Sequence, residues 1–199
     1  MVATAKQVLA STFVCLSVVT LWAGGCEPIQ PMQPIQVGAS VQLPTWEGPA
    51  QEIFDDSIDP AAVGLTMEGA VPAADVLLRA RAQKAALVAR VKVNTVTVDT
   101  VGDEITYHLG IEVITAPLAH PKIQDQRFEL LIRPTGRASA TVKAFDARLR
   151  GTTFVAFLSR FASAETDSEI HWHLSADAPD VIAAVKDAVV LAELSGTGR

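Results

Sequence analysis

The stretch RVKVNTVTVDTVGDEITYHLGIEVI, residues 90–114, decides the fold. Val91, Val93, Thr95 and Thr97 fall on one side of an extended chain, and Lys92, Asn94, Val96 and Val98 fall on the other. A period of two marks a β-strand, because successive side chains point to opposite faces. Gly102-Asp103 supplies turn chemistry and the run from Glu104 to Ile114 alternates again, so the whole stretch reads as a hairpin.

Downstream, residues 116–125 hold Pro117 and Pro121 and read as a loop. FELLIR, residues 128–133, is a third strand stopped by Pro134 and Gly136. Ala138, Val142, Phe145 and Leu149 are spaced by four, three and four, which draws one helical stripe closed by Gly151. TTFVAFLSRF, residues 152–161, reads as a fourth, central strand, and EIHWHLS, residues 169–175, as a fifth. Asp177, Ala178 and Pro179 open a closing helix over residues 180–194, with Val181, Val185, Ala188, Val189 and Ala192 inward and Gly196 ending it. Upstream, Val71-Pro72 and Asp75 start a helix predicted to end near Val88, with Leu77, Ala80, Lys84, Leu87 and Val91 at helical spacing. Hairpins followed by helices, without strict alternation, predict an α+β domain over residues 71–199: a mostly antiparallel five-stranded sheet with about three helices. An open barrel of the oligonucleotide-binding type is the competing architecture.

The chain has 199 residues, enough for one ordinary domain with extensions. Its only cysteines are Cys15 and Cys26, so nothing after residue 26 can form a disulfide framework, a thiolate metal site or a catalytic thiol. Charge is unevenly spread. Residues 27–76 carry acids, among them Asp55, Asp56 and Asp59, and no Lys or Arg, whereas most basic residues fall between Arg79 and Arg160 and the tail is acidic again. This layout allows the acidic arm to lie against the basic middle. The net charge of −6 and the lack of a basic run interleaved with aromatics argue against a nucleic-acid partner.

The first 25 residues have the three-part layout of an exported chain: Lys6 near the start, an apolar run from Val8 to Ala23, then small residues. Leu21-Trp22-Ala23-Gly24-Gly25-Cys26 resembles the lipobox of bacterial lipoproteins. The resemblance implies a signal peptide over residues 1–25, cleavage before Cys26, and a diacylglyceryl thioether on Cys26 that holds the protein to a membrane. Glu27 stands where that family's best-known retention signal has Asp, which implies the outer membrane, with the domain in the periplasm or at the cell surface. Residues 26–70 read as a lipidated Cys followed by an acidic, Pro-rich tether. Pro28, Pro31 and Pro34 recur every three residues, the repeat of a polyproline II spacer, and Trp46 and Phe54 are apolar points able to dock on the domain.

Few residues carry recognisable chemistry. His171-Trp172-His173 on a strand would project both imidazoles to one side, two ligands of a minimal zinc site, with His108 or His120 as a third. The plainer reading puts the two histidines on a solvent face and Trp172 in the core. DDSID, residues 55–59, alternates oxygen side chains as a calcium loop does, but Pro60 and Thr66 stand where an EF-hand needs Gly and Glu, so it reads as an acidic turn or a helix start. Arg133, Arg137, Lys143, Arg148 and Arg150 form the densest basic cluster, a candidate partner-binding surface. GxSxG, HExxH, P-loop and GxGxxG patterns are all missing, so no catalytic residue or cofactor is expected. The expectation is a non-enzymatic, lipid-anchored envelope protein that binds an envelope protein or glycan. The competing one is a metal or small-ligand module using His171 and His173.

Overall fold

The computed structural model describes residues 42–65 and 71–196. The expected signal peptide, Cys26 and the proline triplet lie outside the described residues. Along the chain run α1 (Pro49–Ile53), β1 (Ser57–Ile58), short 3-10 turns at Pro60–Val63 and Pro72–Ala74, α2 (Val76–Lys84), β2 (Leu87–Val101) and β3 (Glu104–Val113). They are followed by β4 (Arg127–Ile132), α3 (Ser139–Leu149), β5 (Thr153–Phe161), β6 (Glu169–Ala176) and α4 (Pro179–Leu194).

The predicted hairpin is β2 and β3, paired antiparallel from Val101↔Glu104 to Val91↔Val113. Its turn holds Gly102 at φ 63°, a left-handed conformation that costs glycine little. The sheet is six-stranded, in the order β1-β6-β5-β2-β3-β4, antiparallel throughout except for the parallel pair β1–β6. The α+β class with a mostly antiparallel sheet therefore holds, with one strand more than expected. The sheet is open, with β1 and β4 at its edges, so the barrel does not form.

Both faces of the sheet are covered. On one, Leu109, Ile111, Leu130, Phe154, Leu158, Trp172 and Leu174 pack with Val142 and Leu149 of α3. On the other, Val88, Val155, Phe157 and Phe161 pack with Leu78 and Ala82 of α2, Val185 and Ala188 of α4, and Ile53 and Phe54 at the end of α1. This double cover corrects one boundary. α2 stops at Lys84, and Leu87 and Val88 belong to β2 with at most 1% exposure, as does the following Ala89. A central strand buried on both faces loses its alternation and mimics a helical run. The inward stripe of α2 is also displaced by one residue: Leu78, Arg81 and Ala82 are buried, whereas Leu77 is 43% exposed. Asp75 caps α2, its Oδ1 accepting from the Leu77 and Leu78 amides at 2.8 and 3.2 Å.

The sixth strand comes from the acidic arm. β1 pairs Ser57 with His173 and Ile58 with Leu174, Ala162 N–H donates to Pro44 O at 2.8 Å, and Phe54 is 3% exposed. Residues 44–65, whose composition reads as tether, are part of the folded body. At the other end the register shifts between Val93 and Thr95, and β5 pairs with β2 no further than Lys92. Beyond that shift β2 runs on against β3 without β5, while β3 stays paired with β4 as far as Tyr107↔Ile132; only the tip from Asp99↔Thr106 to the turn is two-stranded, and Val98 and Val101 are exposed.

Candidate functional site beside β6

Strand alternation puts His171, His173 and Ser175 of β6 on one face, and Trp172 and Leu174 on the other, in the core. Neither histidine is on a solvent face: His171 is 3% exposed and His173 6%. They are covered by the arm leading into β1, which supplies a carboxylate to each.

Asp56 sits at φ 49° and is held from several sides. Its amide donates to Trp172 O at 2.9 Å, its Oδ1 accepts from Trp172 N–H at 3.0 Å, and Ala138 N–H donates to its carbonyl at 3.2 Å. Its Oδ2 lies 2.7 Å from His171 Nδ1. The His171 ring stacks on Trp46, centroids 3.6 Å apart and planes within 5°, and meets the edge of Phe161 at 5.6 Å. Trp46 is fixed in turn by its Nε1–H donating to Phe54 O at 2.8 Å. Burial raises the Asp56 carboxyl above the ordinary aspartate range, and the His171 hydrogen bond and charge offset this only in part.

The neighbouring pair is tuned oppositely. Asp55 Oδ1 lies 3.0 Å from His173 Nδ1 and accepts from Ser57 Oγ at 2.8 Å. Arg81 Nη2 is 3.6 Å from Asp55 Oδ1, and Arg137 Nη1 is 3.1 Å from Oδ2. Burial works to raise the Asp55 carboxyl, but the His173 hydrogen bond, with help from Ser57 and Arg81, leaves it below its ordinary value. Burial lowers His173, and the bond to Asp55 offsets that only partly. An ionised carboxylate can only accept, so His173 carries a proton on Nδ1, and its lowering favours the neutral ring, whose Nε2 keeps a lone pair. The acidic arm does lie against the basic middle, through Arg81 and Arg137. Arg81 is itself 6% exposed and donates from Nε to Ile53 O at 2.8 Å.

Two cavities flank these pairs. One, of about 380 Å³, is lined by His173, Ser175, Asp59, Asp75 and Asp180 among others. The second, of about 360 Å³, lies against Trp46, Asp55, Asp56, Arg133 and Arg137. The structure disperses the remaining candidates. His108 lies between Asp99 and Glu129, at 3.2 and 2.7 Å, and His120 Nε2 is 3.0 Å from Ala82 O. Among the described residues no three His, Cys, Asp or Glu side chains gather as metal ligands. The basic cluster is divided. Arg133 pairs with Glu169 at 2.5 Å and Arg137 with Asp55, both ahead of α3. Lys143 is exposed on the helix. At its far end Arg148 lies over Phe145 at 5.6 Å and Arg150 donates to Val96 O at 3.1 Å.

Asp55, Asp56, Ser57, Arg81 and Ser175 were not candidates in the sequence. The one signal was the alternating oxygens of DDSID, of which Asp59 is used locally: its Oδ1 accepts from Ala61 N–H at 2.9 Å and starts the 3-10 turn at Pro60. Comparison of the chain with protein-family models, curated proteins and solved structures found no match. What the fold and site define is a class: an α+β domain whose edge strand is fastened by two buried Asp–His pairs.

Proposed function

We propose that the chain is a lipid-anchored protein of the cell envelope, held to the outer membrane through Cys26, whose domain binds an envelope protein or glycan and does not catalyse a reaction. The observation that carries the reading is the lipobox-like Leu21–Cys26 segment, with Pro44 already hydrogen-bonded to the folded domain. The residues between would be a spacer of about 50 Å at about 3.1 Å per residue in a polyproline II conformation. Stable anchoring takes two or more acyl chains, which the thioether and an acylated amino terminus would supply. Among the described residues no helix is long and apolar enough to cross a membrane. The end of the β2–β3 hairpin, with Val98 and Val101 exposed, is the surface best shaped to meet a partner.

Labelled palmitate fed to cells making the wild-type chain should enter the protein, and Cys26→Ser should abolish the label and release the protein from membranes. Label persisting in Cys26→Ser, or an unmodified Cys26 by mass spectrometry, would overturn the anchor. Crosslinking from the membrane-bound protein, with and without Val98→Ser and Val101→Ser, then tests the partner surface.

A further inference from the structure

We infer that the cavity between β6 and the starts of α2 and α4 is a binding site for a small organic cation, a protonated amine on a short apolar body. The inference goes beyond the envelope reading and does not depend on lipidation of Cys26.

The floor of the cavity is polar and buried. Ser175 is 3% exposed and lines it, and its hydroxyl makes no hydrogen bond among the described residues. The oxygen is not sealed in the core, so it is open to the cavity and able to bond to what occupies it. His173, beside it on the same face, also lines the cavity, and its Nε2 carries the lone pair that its bond to Asp55 leaves free. Both groups therefore present acceptors to an N–H donor.

The wall is acidic. Asp59 and Asp75 use Oδ1 to cap a helix start, accepting from Ala61 and from Leu77 and Leu78, and Asp180, in the first turn of α4, uses Oδ1 to accept from the Val181 amide. The other oxygen of each makes no hydrogen bond or ion pair among the described residues. The one basic residue of the lining, Arg81, is already engaged by Asp55 and by Ile53 O. The field in the cavity thus favours a positive ligand. The carboxylates do not converge as metal ligands, which suits an extended cation better than a metal ion. Ile58, Leu78 and Val181 give the cavity an apolar side for the body of the ligand. Its volume of about 380 Å³ falls in the range of small-molecule sites.

Isothermal titration calorimetry of the full-length chain with n-pentylamine, and with n-pentanol as the uncharged match, tests the site. The amine should bind at one site and the alcohol should give no saturable heat. Asp59→Asn with Asp75→Asn should weaken the amine by about tenfold or more, the loss expected when charge-assisted bonds become neutral ones. Asn caps a helix about as well as Asp, so the double variant should keep its fold, which its melting curve checks. A test needing no variant is salt: amine binding to the wild type should weaken as sodium chloride rises from about 50 to about 500 mM. Absence of amine binding, equal binding of the alcohol, full affinity in a folded double variant, or affinity indifferent to salt would each overturn the proposal.

Discussion

Asp56 ties the arm to the sheet through both its side chain and its backbone. It receives both a ring N–H and the Trp172 amide, and its own amide returns a bond to Trp172 O. Asp56→Ala would leave His171 Nδ1 and the Trp172 amide buried without partners, and each unsatisfied group costs about 1–3 kcal/mol. A loss of about 2–4 kcal/mol in urea-unfolding free energy is expected; a loss under about 0.5 kcal/mol would mean that the arm is held by its apolar contacts alone. His173 makes a second prediction, in pH. Its folded-state pKa lies below the ordinary 6.5, so below that value the unfolded chain binds a proton that the folded one resists. Its contribution is therefore present above about pH 6.5 and is lost as pH falls from there toward the lowered value. Asp55, also lowered, acts in the same sense at more acid pH, below 3.8. Asp56, raised, acts in the opposite sense, since the folded form takes up its proton first as pH falls. His173→Asn keeps an N–H toward Asp55 without a titrating ring, so the fall in urea midpoint between about pH 7 and pH 5.5 should flatten in this variant. An unchanged slope would assign the effect elsewhere.

At the scale of elements, the short β1 strand and the residues around it matter more than their length suggests. Two residues of parallel pairing give little alone, but Phe54 and Ile53 fill the face shared with α2 and α4, and Trp46 covers His171. Removing a buried Phe side chain costs about 3–5 kcal/mol, a large part of the 5–15 kcal/mol that a domain has in total. A chain beginning at Val71 should accordingly lose its cooperative melting transition, whereas one beginning at residue 42 should keep it, as differential scanning calorimetry would read. Cooperative melting of the shorter chain at the same temperature would show the arm to be dispensable. The arm escaped the sequence reading because its pattern is short, acidic and broken by Pro44, Pro49 and Pro60, features that composition assigns to linkers. The α2–β2 junction was misread for the opposite reason: Ala85 to Ala89 is uniformly apolar, and a uniform run has no period to reveal its secondary structure.

For the whole molecule, the sequence by itself determined the class and most of the elements: hairpin, third strand, α3, central β5, β6 and α4 all fall within a few residues of where alternation, helical stripes and Gly or Pro stops put them. These signals are local, arising from the side-chain periodicity of one element and the φ needs of one turn, so they survive without knowledge of the neighbours. It also determined that Trp172 faces the core, and that both histidines face the other way. Only the tertiary structure decided what covers those histidines, because the covering carboxylates lie more than a hundred residues earlier, and no local pattern links Asp55 to His173 or Asp56 to His171. The same distance hid Ser175 and the cavity it faces, which is assembled from β6, the arm and two helix starts. Pairing across the fold depends on which strand edge is free and which loop can reach it, and that is a property of the folded chain.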